Sequence, residues 1–380
     1  MLADAYVKNL TADIDWGAAL EAVIKDAEVE PIDWYLNGRG GLQSWQNLAF
    51  IPYRDFDTVG FGIEGHSVSR TLEYAYNDYC LGTLARGLDL DNYTNYLDKS
   101  TNWKNIWNQD TNWTSHLSLS DRENNTNFTG FVQPKNANLS WAFQDPVACS
   151  QLLGEWCTLG VNVHETYESS IWEYSFFVPH DVQALMDKMN VKDGFLRRLQ
   201  YTMDSGLLEI TNEPSFLVPF LAHYVPRPYY SSHFVHQLVA KNFNTSADGL
   251  PGNDDSGAMS AWLVFAMLGM FPNAGQNVYF LTAPFFESWS ITNKLTGKTA
   301  SMRVVNGTFG SGISIRQVWV NGEVWYSNWI GHEFFLEGWD MEMELQEQES
   351  GWGQGTDDMP PSLSTDGLLG SCSRPDCASI

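Results

Sequence analysis

Positive charge is scarce in this chain of 380 residues: 21 Lys and Arg stand against 46 Asp and Glu, for a formal net charge of −25. A surface so negative repels phosphate backbones and argues against nucleic acid as a partner. Long apolar runs are missing as well. No stretch of eighteen apolar residues offers a membrane span, and the opening MLADAY has neither a basic n-region nor an apolar h-region. Cysteine is sparse, with five residues at positions 80, 149, 157, 372 and 377, none in a C-x-x-C pair, which argues against a zinc ribbon. Cys149 with Cys157, and Cys372 with Cys377, are spaced for short disulfides without requiring them. Cys80 is left over as a buried thiol inside a helical pattern.

Aromatic residues are plentiful: 16 Trp, 16 Tyr and 21 Phe in a chain of 43% hydrophobic composition. Most such rings belong in a core, and a few are suited to pack on the C–H faces of a sugar. Asn-x-Ser/Thr occurs at Asn9, Asn92, Asn112, Asn124, Asn127, Asn138, Asn244 and Asn306. This is roughly twice the chance expectation and favours a secretory history. A secreted composition without a leader raises the expectation that the natural start lies upstream.

Residues 1–275 read as helices joined by irregular loops. Ser67 to Leu88 is the clearest helix, with Val68, Leu72, Ala75 and Tyr79 on one face. Further helices are expected near 17–29, 145–158, 180–205, 214–224, 230–243 and 257–270, and an exposed, glycan-bearing loop over 100–145. Helix pairs of similar length suggest a toroid. After Pro272 strand composition takes over at 278–281, 313–320 and 323–326, and Asn321-Gly322 between two apolar runs is a hairpin signal. Residues 276–350 therefore form a β-rich extension, and 351–380, poor in apolar residues, a disordered tail.

Three segments carry chemistry. In DGLPGNDDSGAMSAW (248–262) a Gly-rich turn leads into an apolar helix. Asn253, Asp254 and Asp255 thus stand at or before a helix N-terminus, where free N–H groups keep a carboxylate ionised. That state suits a general base, though a plain helix cap fits equally. In YESSIWEYSFFVPHD (167–181) Glu168 lies among Tyr167, Ile171 and Trp172, whose burial would raise its pKa into the range of a general acid. An ordinary, partly exposed Glu is the alternative. His180-Asp181 reads as a supporting pair or, preferably, as the cap of the next helix. In TNEPSFLVPF (211–220) Asn212 and Glu213 precede Pro214 and offer hard oxygen donors to a cation such as Ca²⁺, or cap a helix.

Taken together, NEPSF, DGLPGNDDSGAMSAWLVFAMLGMFP, YESSIWEYSFFVPHD and SVSRTLEYAYNDYCLGTLA resemble glycoside hydrolase family 92 in order and spacing, over roughly residues 1–350. The resemblance implies a Ca²⁺-dependent, inverting exo-α-mannosidase acting on terminal α-linked mannose of glycans, with α-1,2 linkages expected. It implies a mainly α fold: an incomplete (α/α)6 barrel, entered partway and without the family's N-terminal β-sandwich, followed by a small C-terminal β-rich extension. It further implies Glu168 as general acid and Asp255 as general base, with Asn253 and Asp254 in the base motif. Asn212 and Glu213 are implied for calcium and the leaving-group subsite, and Arg39 in NGRGG for substrate. A mannose-binding relative without activity, or a partial gene product, is the alternative. The expected partner is a mannose-containing glycan, with no nucleic acid and no membrane.

Overall fold

The computed structural model describes residues 1–114, 127–153, 164–189, 191–294 and 296–365, which form two compact units. The first unit comprises Leu2–His180 and Leu185–Ser215; the second comprises Met1, Asp181–Ala184 and the chain from Phe216 onward. The helices α1 (Leu2–Val7), α2 (Trp16–Glu28), α3 (Leu42–Leu48), α4 (Ser67–Gly87), α5 (Tyr93–Lys99), α6 (Ile171–Tyr174), α7 (Val182–Lys188) and α8 (Val191–Ser205) precede residue 215. So do the strands β1 (Trp107–Thr114) and β2 (Asn127–Val132).

Helix α4 is the spine of the first unit. Of its 21 residues, 15 are buried, so neighbours cover it on nearly every side. Gly82 is needed where α5 crosses closely, because a Cβ there would meet Leu97 Cδ2 at 2.7 Å. The expected loop over 100–145 is instead a 3₁₀ turn (Ser100–Ile106) and the antiparallel pair β1–β2. Its inward residues Trp103, Ile106, Trp107, Phe128, Phe131 and Val132 are buried. Phe128 and Phe131 pack on Trp172 of α6, and Arg198 of α8 donates to the carbonyls of Thr129 and Gly130 at 2.6 and 2.8 Å. Aromatic burial thus overrides the polar composition that suggested a loop. The sequon at Asn124 lies outside the described residues, whereas Asn9, Asn92, Asn112, Asn127, Asn138, Asn244 and Asn306 are all exposed.

Other expectations shift as well. The helix expected over 145–158 is turns and a short 3₁₀ segment at Gln151–Leu153, residues 154–158 lying outside the described residues. The 180–205 helix is two, α7 and α8. The 214–224 helix becomes 3₁₀ turns at Glu213–Ser215 and Val218–His223, because Pro219 removes an N–H that an α-helix there would use and its ring clashes with the carbonyl four residues earlier. Asp181 does stand at the start of α7 and accepts from Ala184 N at 3.4 Å, which is the cap geometry.

The second unit holds α9 (Pro228–Asn242), α10 (Ala258–Leu268) and α11 (Glu333–Glu337), with two sheets. β3 (Met270–Asn273), β4 (Val278–Leu281) and β9 (Trp329–Ile330) form one sheet, in the order β3-β4-β9. β5 (Ser288–Thr292), β6 (Thr299–Val304), β7 (Ser314–Val320), β8 (Glu323–Trp325) and β10 (Asp340–Gln346) form the other, in the order β5-β6-β10-β7-β8. Only β10–β6 is parallel among these described pairs. Inward residues alternate at Ala300, Met302 and Val304 on β6 and at Met341, Met343 and Leu345 on β10, building one apolar core. The β7–β8 hairpin turns at Asn321 and Gly322 with φ of +51° and +81°, as the Asn-Gly signal requires.

Residues 351–365, expected to be disordered, are packed. Trp352 is buried and donates to Trp325 O at 2.8 Å, and Ser364 donates to Asp181 Oδ1 at 2.6 Å. One anchored indole outweighs a Gly- and Ser-rich composition. The rest of that tail, with Cys372 and Cys377, lies outside the described residues, as does Cys157. Cys149 is disulfide-bonded and Cys80 is a free, half-buried thiol of α4. No helix among the described residues is long and apolar enough to cross a membrane.

Candidate functional site

In the first unit the segment 164–170 is laced to the start of α4. Glu165 Oε2 accepts from Ser67 N at 3.0 Å, its carbonyl accepts from Val68 N at 3.0 Å, and Tyr167 N donates to Ser69 Oγ at 3.2 Å. The His66 ring stacks on Tyr167 at 4.4 Å. Between these ties the chain must turn sharply, and Glu168 does so with φ of +47°, in the left-handed region that a long side chain rarely occupies. Its side chain is half-buried beside the fully buried Ser169 and Ser170. Glu73 of α4 lies within electrostatic reach. Burial, and to a smaller degree the charge of Glu168, pushes the Glu73 carboxyl up to about 7.

Asn212 meets this turn directly, its Nδ2 donating to Glu168 O at 2.8 Å. Its Oδ1 is thereby turned away from that contact, and Glu213 follows on a 3₁₀ turn, half-buried. Nearby Glu209 is buried: its Oε1 accepts from Thr211 N at 3.2 Å, while Oε2 has no hydrogen-bond partner among the described residues. Asn212 and Glu213 offer oxygen donors of the hard type that Ca²⁺ takes, and Glu209 Oε2 nearby in sequence lacks a hydrogen-bond partner among the described residues. No group of three His, Cys, Asp or Glu side chains among the described residues is placed to hold a metal, so amide, carbonyl and sugar oxygens would complete the shell.

Arg39 occupies a different setting. Its guanidinium is buried, with Nη1 2.7 Å from Asp78 Oδ1 and Nε 3.6 Å from Asp26 Oδ2, and it lies over the Tyr74 ring. Trp45 Nε1 completes the Asp78 carboxylate at 3.0 Å. These contacts fix the Arg39 guanidinium against Asp78 and Tyr74.

In the second unit the three candidates of the 248–262 segment differ in their contacts. Asp254 Oδ1 accepts from Ser260 N at 2.8 Å and from Ser260 Oγ at 2.7 Å, and its carbonyl accepts from Gly257 N at 3.1 Å. It satisfies the Ser260 N–H in the first turn of α10, whose N-cap position is Gly257, and these bonds hold its carboxyl below the usual carboxylate range. Asp255, with φ of +44°, is exposed, and no hydrogen bond from a described residue holds its carboxylate. Asn253 is exposed on the same turn. The two candidate reacting residues thus share a left-handed backbone, which Asp13 and Asp89 also adopt. Such positions cost of order 1–3 kcal/mol and cluster at functional sites.

Sequence reasoning passed over Glu73 and Glu173. Both lie within the motifs quoted above, and Ser170-x-x-Glu173 is a capping-box pattern that does form at the start of α6.

The sequence model of the glycosyl hydrolase family 92 catalytic domain matches residues 1–347. A curated protein of Arthroderma benhamiae, named an uncharacterized secreted glycosidase, is 49% identical over 366 residues, which are 96% of this chain and 46% of that protein. A family 92 α-mannosidase of Bacteroides thetaiotaomicron, solved in complex with mannoimidazole, has the same fold with a TM-score of 0.78 at 21% identity. The match covers 95% of this chain and 45% of that one. A family 92 inverting mannosidase of the same organism matches with a TM-score of 0.78 at 22% identity, over 96% and 47% of the two chains. The chain spans about half the length of these relatives. With a family match from residue 1 to 347 and a relative 49% identical along nearly all of it, the chain belongs to glycoside hydrolase family 92.

Proposed function

We propose that this chain carries the acid and the base of a calcium-assisted, secreted exo-α-mannosidase, which releases terminal α-linked mannose from glycans, α-1,2 linkages among them, with inversion. Its helical part would belong to an (α/α)6 toroid, a reading supported by the fold shared with family 92 structures. The carrying observation is the pair of left-handed acidic residues, Glu168 at φ +47° and Asp255 at φ +44°. Glu168, half-buried beside Glu73, gives its proton to the glycosidic oxygen as the bond to the anomeric carbon breaks. Asp255, exposed and unheld, takes a proton from the water whose oxygen bonds to that carbon, so an α-mannoside yields β-mannose. Asp254 keeps the helix start in place and leaves Asp255 free. Asn212 and Glu213 would hold calcium, which supplies polarising oxygen coordination to the hydroxyls of the sugar. The exposure of all seven described sequon asparagines supports passage through a glycosylating, secretory route.

In the full-length enzyme, Glu168→Gln and Asp255→Asn should each lower kcat on an α-mannoside by about 10²–10⁴-fold or more, with the circular dichroism spectrum unchanged. Proton NMR of the first-formed sugar should show the β anomer. Near-parental turnover in either variant, or α-mannose as first product, would end this reading.

A further inference from the structure

Glu173 sits five residues after the Glu168 turn and is completely buried, yet no step of the reaction above uses it. Its carboxylate is fully engaged. Oε2 accepts from Ser170 N at 3.1 Å and Ser170 Oγ at 2.8 Å, and Oε1 accepts from Glu209 N at 2.7 Å and Ser215 Oγ at 2.7 Å. Four donors match the roughly four acceptor sites of a carboxylate and offset in part the burial that pushes its pKa up. The first oxygen therefore belongs to the segment that carries Glu168, and the second to residues that bracket Asn212 and Glu213, three positions before Asn212 and two after Glu213. Across the same gap Asn212 Nδ2 reaches Glu168 O at 2.8 Å.

We infer that Glu173 is a positioning residue, a clasp that fixes the loop 209–215 against the Glu168 turn and so sets the proton donor relative to Asn212 and Glu213. The inference rests on the α-mannosidase reading. Simple helix capping would need only the Ser170 half of the clasp. The Glu209 and Ser215 half joins segments 36 and 42 residues away. Each carboxylate oxygen receives one backbone N–H, and a backbone N–H cannot reverse its polarity. An amide at this position can accept on one side only, and its NH₂ must face a second donor. Glu173→Gln therefore preserves shape and volume while releasing one side of the clasp.

The test uses the full-length enzyme and two substrates. 2,4-Dinitrophenyl α-mannoside carries a leaving group that departs without a proton. Methylumbelliferyl α-mannoside depends more on the general acid. If Glu173 positions Glu168, Glu173→Gln lowers kcat on the methylumbelliferyl substrate by about 10²-fold, as expected for misplacement of about 1 Å, and by less than about tenfold on the dinitrophenyl substrate. Ser215→Ala, which removes one of four donors and keeps the charge, shows the same preference at smaller amplitude, and it decides the matter if Glu173→Gln does not fold. Equal losses on both substrates, or none, overturn the inference while the parent enzyme's activity leaves the α-mannosidase reading standing. A parent enzyme that cleaves neither substrate overturns the reading and the inference with it.

Discussion

The turn that carries Glu168 and the turn that carries Asp255 solve opposite problems with similar backbones. Around Glu168 nearly everything is buried and tied: Glu165 to α4, Tyr167 to Ser69 and His66, Asn212 to the Glu168 carbonyl, and Glu173 to both flanks of the 209–215 loop. Around Asp255 the residues 252–256 are exposed, and only Asp254 anchors the turn, through Ser260. Under the proposed mechanism the acid stands in the tied, partly buried turn and the base in the exposed one. The difference lies in the surroundings, since both side chains are carboxylates.

The contrast extends to the units that hold these turns. The first adds buried ion pairs such as Arg39–Asp78 to its buried apolar and aromatic residues. The second has an alternating apolar core, with exposed ion pairs such as Arg303–Glu342 on the outer face of its sheet. Arg39→Leu should therefore be severe, because it strands the buried Asp78 carboxylate; a loss of about 3–5 kcal/mol is expected in chemical denaturation. Arg303→Leu removes an exposed pair and should cost less than about 1 kcal/mol. Similar losses from the two changes would erase the distinction between the units.

A second comparison concerns strain. Glu168→Gly relieves a left-handed backbone that Glu tolerates poorly, worth about 1–3 kcal/mol, against about 0.4–1 kcal/mol for the added freedom of the unfolded chain. The Glu168→Gly variant should thus be more stable by about 1 kcal/mol. Asp255→Gly should gain less, since Asp adopts this conformation more readily. Thermal melts showing no gain at Glu168 would remove the claim that its turn is held under strain.

The smallest effect is a pH dependence. Glu30 is half-buried and accepts from Leu42 N at 2.7 Å. Desolvation first, and its hydrogen bond to Asp57 second, push its carboxyl up to about 7. Its folded pKa lies above the unfolded value, so its contribution to stability is complete below the ordinary Glu range and is lost as pH rises through about 7. Glu30→Gln, neutral at every pH, should flatten that part of the curve of melting temperature against pH. An unchanged slope would show that Glu30 does not titrate there.

Much of this was legible in the residues, for identifiable reasons. Helix α4 announces itself by apolar periodicity, the β7–β8 turn by Asn-Gly, and the chemical segments by acidic residues beside glycine, proline or aromatic residues. The β1–β2 hairpin was hidden because its strands are rich in Asn, Asp, Gln and Thr, and its burial depends on Trp172 and Arg198 far along the chain. The composition of 351–365 does not reveal its order because a single indole, Trp352, anchors it. The pairing of Arg39 with Asp78, 39 residues later, is visible only in the folded chain. Glu173 could be recognised locally as a cap, but its partners at 209 and 215 exist only after folding.

The division of labour between the two acidic turns is tested most directly by measuring kcat of Glu168→Gln and Asp255→Asn, in the full-length enzyme, on the dinitrophenyl and methylumbelliferyl α-mannosides. The Glu168 variant should keep much of its activity on the dinitrophenyl substrate and lose about 10²–10⁴-fold on the other, while the Asp255 variant should lose at least about 10²-fold on both. The same pattern in both variants, or selective loss in the Asp255 variant, would contradict the assignment of acid and base.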